Sequence, residues 1–347
     1  MARQRTDEGV EVRLRVGFYF DFASHPFAHA GLFDHSRPVH EALQRLPAYL
    51  THWFTTLASS PQHNHTTVAR IVASGRAIDG KRWHVDGEHL RRCLDTTPAA
   101  AVVTMERSRL ASTAVTVKPS SICGRPGGRL YVGAGARLLG CHIDLSQGDV
   151  YIGEDTVVDP FASVCGPTIM GKNCVVRTGA RIRGNCIFGD RVVVGGEIKS
   201  SVLMDEASFP HQSYVGDSIC GFRSHFGNGA TSANLGIYEG MKEEAQFTPL
   251  TLLVPVTTTH ESSDSLPSRQ QHKKVNAGTA KLGIIMGDYS QVGCNSVSDP
   301  ATFLGPRTVV YALTSIRKGF YGPNEVLKNK PFEAGVIERA AFVINKL

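Results

Sequence analysis

No apolar run approaches the roughly 18 residues a membrane-spanning helix needs. Met1 to Val16 carries charges without an apolar centre, so neither a membrane protein nor a cleaved leader is expected. Paired cysteines are also missing. The eight cysteines, at 93, 123, 141, 165, 174, 186, 220 and 294, include no Cys-x-x-Cys, which argues against the common zinc and redox frameworks. Buried free thiols in a reducing cytoplasm are the expectation. Lys and Arg exceed Asp and Glu by 37 to 31, yet they form no basic run interleaved with aromatics, so a nucleic-acid partner is not expected. His142, His211 and His225 follow no ligand spacing, and no metal is expected.

What the sequence has is a period. Ile152, Val158, Val164, Met170, Val176, Ile182, Phe188 and Val194 recur at a strict six-residue step. An amphipathic helix repeats near 3.6 and a half-buried strand at 2, so this step points to a solenoid whose sides are short strands, three to a coil. The step returns at Met286, Val292, Ser298, Leu304, Val310 and Ile316. Between the two blocks the phase slips through Ile198, Met204, Pro210, Val215, Cys220 and Phe226, and the chain then leaves the coil at about 236–281. The fold class expected is therefore an all-β solenoid over residues 111–317 with one inserted loop.

Residues 1–110 read as an α-rich cap over the first coil, because solenoid ends expose their core unless covered. Val39, Leu43, Leu46, Leu50, Trp53 and Leu57 form one helical stripe, with Pro47 expected to kink or divide it. Val16–Phe22 reads as a short strand and 68–74 as a weak helix. The tail, 318–347, is expected to leave the solenoid and to form a terminal helix over 333–345.

The chemistry concentrates between 197 and 234. Residues 18 apart should stack in neighbouring coils, placing Arg181 beneath Lys199 and Glu197 near Tyr214. A histidine oriented by a carboxylate is a general base, and His211 with Glu197 is the candidate pair. Arg181, Lys199 and Tyr214 would supply donors for a phosphate.

The segments Ala180-Arg-Ile-Arg183, Glu197-Ile-Lys199, Pro210-His-Gln-Ser-Tyr-Val-Gly-Asp217, Phe226-Gly-Asn-Gly229 and Ala233-Asn-Leu235 resemble, in order and spacing, a known family. It is the acetyltransferase half of the bifunctional N-acetylglucosamine-1-phosphate uridyltransferase/glucosamine-1-phosphate acetyltransferase. The resemblance covers roughly 120–330 and is nearest to stand-alone sugar-nucleotidyltransferase-like hexapeptide proteins. It implies a left-handed parallel β-helix of the trimeric LpxA-like kind, with sites between subunits.

It further implies an acyltransferase that moves acetyl from acetyl-CoA to an amino-sugar phosphate such as glucosamine 1-phosphate. His211 would be the base and Glu197 its orienting carboxylate. Arg181, Lys199, Tyr214, Asn234 and His225 would contact the sugar phosphate, and Asn228 and Cys294 the acetyl-CoA. His225 stands where the family usually has Asn. Residues 1–110 are short for a nucleotide-binding domain and lack a Gly-x-Gly-Thr-Arg loop, so nucleotidyl transfer is not expected. The alternative is a non-catalytic hexapeptide protein that binds a sugar nucleotide or scaffolds a partner nucleotidyltransferase.

Overall fold

The computed structural model describes residues 11–59, 120–125, 128–256 and 271–329, and by backbone the strands Val68–Val72, Arg76–Ala77, Trp83–Asp86, Thr116–Lys118 and Ile337–Ala341. His260 and the polar stretch 257–268 lie outside these residues, as does Cys93.

Strands of two to five residues stack into three long sheets, of ten, eleven and eleven strands, joined by corners. Such strands are too short to hold alone. Parallel pairing with the coil above and below satisfies their backbones, and one branched side chain per strand points inward. Ile122, Ile143, Val164, Ile182, Ile198 and Val215 form one such inward column. We call the sheet containing Val150–Ile152 the first face, that containing Val157–Val158 the second, and that containing Ser163–Cys165 the third.

The register is 18 residues where corners are full, as in Val157, Val175 and Val193. At Gly195-Gly196 the corner loses two residues. Ile182 then stacks on Ile198 and Arg181 on Glu197. Past this point the core is filled by Leu203 and Phe209, not by Met204 and Pro210 as the slipped phase suggested. Met204 instead turns outward against the N-terminal segment.

That segment reaches the first coils but is not confined to them. Val16–Tyr19 is a single helical turn rather than a strand, and Glu41–Ser59 is one unbroken helix through Pro47. Pro47 is exposed, where water can hydrate the carbonyl that loses its donor. Ala42, Leu46, Leu50, Phe54 and Leu57 face inward along the helix. Tyr19 lies 6.2 Å from Phe303 near the last coils, whereas Trp53 lies 5.2 Å from Tyr151 and Phe54 6.2 Å from Tyr131 near the first. The segment therefore runs the length of the first face, burying its outward row from Tyr131 to Phe320.

The inserted loop contributes a hairpin, Thr251–Pro255 with His272–Asn276, whose Leu252 and Val254 join the same cluster. Two histidines are sealed in here. His29 and His40 are 6% and 1% exposed. Burial pushes both imidazoles down to about 4; the Asp190 carboxylate weakly opposes the shift at His29 and a hydrogen bond to Ala277 opposes it at His40.

Among the described residues an antiparallel strand is added at one end of each long sheet. Val68–Val72, read from the sequence as helix, pairs with Arg129–Gly133, and Trp83–Asp86 pairs with Ser121–Gly124. Parallel pairing continues past residue 318 through Gly319–Tyr321 and Glu325–Asn329. Ile337–Ala341, expected as helix, is a strand antiparallel to the latter.

Phe303 is the anchor between segment and coil, fully buried and stacked on Phe320 at 4.4 Å. Phe303→Ala is expected to cost about 3–5 kcal/mol in chemical denaturation, and a loss below about 1 kcal/mol would mean that the segment contributes little to stability.

Candidate active site

The outward side chains of the third face form two rows, because residues on either side of each inward one point out. One row runs Ser163, Arg181, Glu197, Tyr214, Thr231, and the other Cys165, Arg183, Lys199, Gly216. Glu197 and Tyr214 are direct neighbours, as the sequence suggested. Lys199 is level with Arg183, not Arg181, because of the short corner.

Glu197 is the centre of the first row. Its Oε2 accepts from Arg181 at 3.1 Å and its Oε1 from Arg183 at 2.7 Å. Among the described residues no hydrogen bond joins Glu197 to His211, so the expected base–carboxylate pair is not formed within one chain. The physical reason is the turn. His211 sits on the corner 210–213, whereas Glu197 has already entered the strand.

Tyr214 leans across Gly216, where a Cβ would come 2.5 Å from its hydroxyl. Burial raises the Tyr214 phenol, the Asp217 carboxylate pushes the same way, and a hydrogen bond with Asn234 opposes both. Asn234 Nδ2 also donates to Asp217. Glu244 of the inserted loop is held low by Lys281 and, more weakly, by Lys199, which places the loop beside this face.

His211 is exposed. It opens into a cleft of about 390 Å³ lined also by Asp159, Arg177, Gly195, Gln212 and Asn228. The glycine pair brings this corner close: a Cβ on Gly195 would meet the Pro210 carbonyl oxygen at 2.3 Å, and one on Gly196 the Ser213 oxygen at 2.2 Å. Arg177 Nη1 donates to that Pro210 oxygen at 3.2 Å. His225, on the second face, is half-buried; burial lowers its imidazole and the nearby His211 adds to the effect, against a Ser208 backbone bond. Cys294 is exposed one corner further on, with Gly227 giving it room. Cys141, Cys174, Cys186 and Cys220 are buried free thiols as expected, but Cys123 and Cys165 are only partly so.

The site is thus two adjoining parts. Arg181, Glu197, Lys199, Tyr214 and Asn234 share the third face, and His211 and Asn228 share the corner cleft, with His225 beside it. Arg183, Arg177 and Asp159 were missed by the sequence reading. Arg183 was legible, since two residues along a strand return to the same side.

Residues 149–184 match the sequence profile described as bacterial transferase hexapeptide (six repeats). These residues lie within the solenoid. Curated relatives include the bifunctional protein GlmU of Nitrosomonas europaea, 39% identical over 94 residues, 26% of this chain and 20% of that one. GlmU of Listeria monocytogenes is 25% identical over 190 residues, covering 49% and 36%. The likeness read from the sequence is therefore supported, while the chain spans at most about a third of the length of these relatives. Among solved structures, an Arabidopsis UDP-N-acetylglucosamine acyltransferase aligns over 66% of this chain and 72% of its own with 14% identity and a TM-score of 0.30. Among the described residues no helix is long and apolar enough to cross a membrane.

Proposed function

We propose that the protein is an acyltransferase that moves the acetyl group of acetyl-CoA to the amine of an amino-sugar phosphate such as glucosamine 1-phosphate. The observation that carries this reading is the exposed His211 in an open cleft, one corner away from the face that carries Arg181, Lys199 and Tyr214, donors suited to a phosphate. The sugar amine attacks the thioester carbonyl, a C–N bond forms, and the nitrogen's proton passes to His211. The C–S bond then breaks, and the CoA thiolate leaves with that proton. Glu197 acts by fixing Arg181 and Arg183 towards the acceptor, and Asn228 and the exposed Cys294 border the path of the CoA arm.

The active species is a homotrimer in the cytoplasm. Phe161 and Leu313 support assembly: they lie on the same line of corners as His211, 82% and 72% exposed, and both hold φ near +60°. Large side chains in that strained region cost stability that a subunit contact offsets. A steady-state assay with acetyl-CoA and glucosamine 1-phosphate, paired with light scattering for mass, tests the proposal. Turnover by a species of three chains is expected, and a monomer without turnover defeats it.

A second reading, binding of a sugar nucleotide or a partner nucleotidyltransferase without catalysis, is favoured by one observation, the engagement of Glu197 by two arginines. Calorimetry separates the two, because the scaffold binds no acetyl-CoA.

A further inference from the structure

A second cleft, of about 230 Å³, opens where four distant parts of the chain converge. The N-terminal segment supplies Arg13, the inserted hairpin Leu253 and His272, the last coil Lys318 and Phe320, and the closing strand Arg339. Neither Arg181, Glu197 nor His211 borders it. Its floor is apolar and its rim is cationic.

These cations differ in what they already bind. Arg339 is committed to Glu325, with which it makes contacts of 2.9 and 2.7 Å. Arg13 donates to the Gly322 carbonyl, and Lys318 Nζ lies 3.4 Å from the Thr251 carbonyl. Those oxygens are neutral. Among the described residues the carboxylate pairs nearby are Arg339–Glu325, Arg317–Asp299 and Lys273–Glu11, and neither Arg13 nor Lys318 joins one. Two cationic charges and an imidazole thus face one small space, and neither cation has a carboxylate partner among the described residues. Like charges held together cost free energy unless an anion offsets them.

We propose that this cleft binds a small phosphomonoester, its phosphate against Arg13, His272 and Lys318 and its carbon skeleton on Phe320 and Leu253. A dianion balances both unpaired cations, which a single carboxylate does not. The volume is below the about 300–1,000 Å³ of pockets for drug-sized ligands, so a coenzyme or dinucleotide is too large. Because the ligand would touch the N-terminal segment, the hairpin and the last coil together, binding ties these parts to one another. The proposal stands independently of acyl transfer at the other site.

Titration calorimetry of the full chain with glycerol 3-phosphate, and with inorganic phosphate, tests it. Lys318 is exposed, so Lys318→Ala leaves the fold intact, which its melting temperature verifies. The wild type is expected to bind saturably. Lys318→Ala is expected to weaken binding about tenfold or more, the effect of removing a charged hydrogen-bond partner, while Lys199→Ala on the third face leaves affinity unchanged. Absence of saturable binding overturns the proposal, and so does binding that survives Lys318→Ala or disappears in Lys199→Ala.

Discussion

His211→Ala is expected to slow acetyl transfer to glucosamine 1-phosphate by about 100- to 10,000-fold, the range for losing a general base. The side chain is exposed on its corner, so removing it creates no cavity and the melting temperature should hold. The loss should fall on kcat, with KM for either substrate nearly constant, because the imidazole is asked only to take a proton in the transition state. If turnover survives His211→Ala, another group takes the proton, and the adjacent His225 is the one to replace next.

Acidification is expected to destabilise the protein steeply between about pH 6.5 and pH 4. The cause is the pair of sealed histidines along the first face. In the unfolded chain each imidazole takes up a proton below about 6.5. In the folded chain both resist protonation until about pH 4. A group whose folded pKa is depressed leaves stability intact above its unfolded value and removes it as pH falls, here by up to about 3 kcal/mol for each histidine. At His40 the Nδ1 has no hydrogen-bond partner among the described residues. Asp288, whose carboxyl is raised by burial, opposes the trend to a lesser degree.

Trp53, 5.9 Å from the His29 ring, reports the event by fluorescence. Chemical denaturation across this pH range, repeated on His29→Gln with His40→Gln, is the measurement. A slope unchanged by the double replacement would locate the acid sensitivity elsewhere.

Most of the coil was legible in the sequence because its core follows one rule, an inward branched residue at every sixth place, and the rule needs only neighbours. It failed at Gly195-Gly196, where two missing residues moved the alignment from Lys199 to Glu197 beneath Arg181. Local periodicity cannot show which coil neighbour a shortened corner selects. The N-terminal segment was misplaced for a related reason. Its stripe of Leu46, Leu50 and Phe54 demanded an apolar partner, but the outward row from Tyr131 to Phe320 is scattered over nearly two hundred residues. The strands at 68–72 and 337–341 were missed because edge pairing is decided by the partner strand, not by their own composition. His211 was found through its surroundings in sequence, and its true neighbours, Arg177 and Asp159, come from two earlier coils.

A bare stack of coils behaves like a zipper, since each holds only the next and the tips fray first. Here one stretch of chain is fastened near Phe303 at one tip and Tyr131 at the other. Neither tip can peel without releasing the whole brace, so melting should be a single cooperative event, and amide exchange in the terminal coils should be nearly as slow as in the middle.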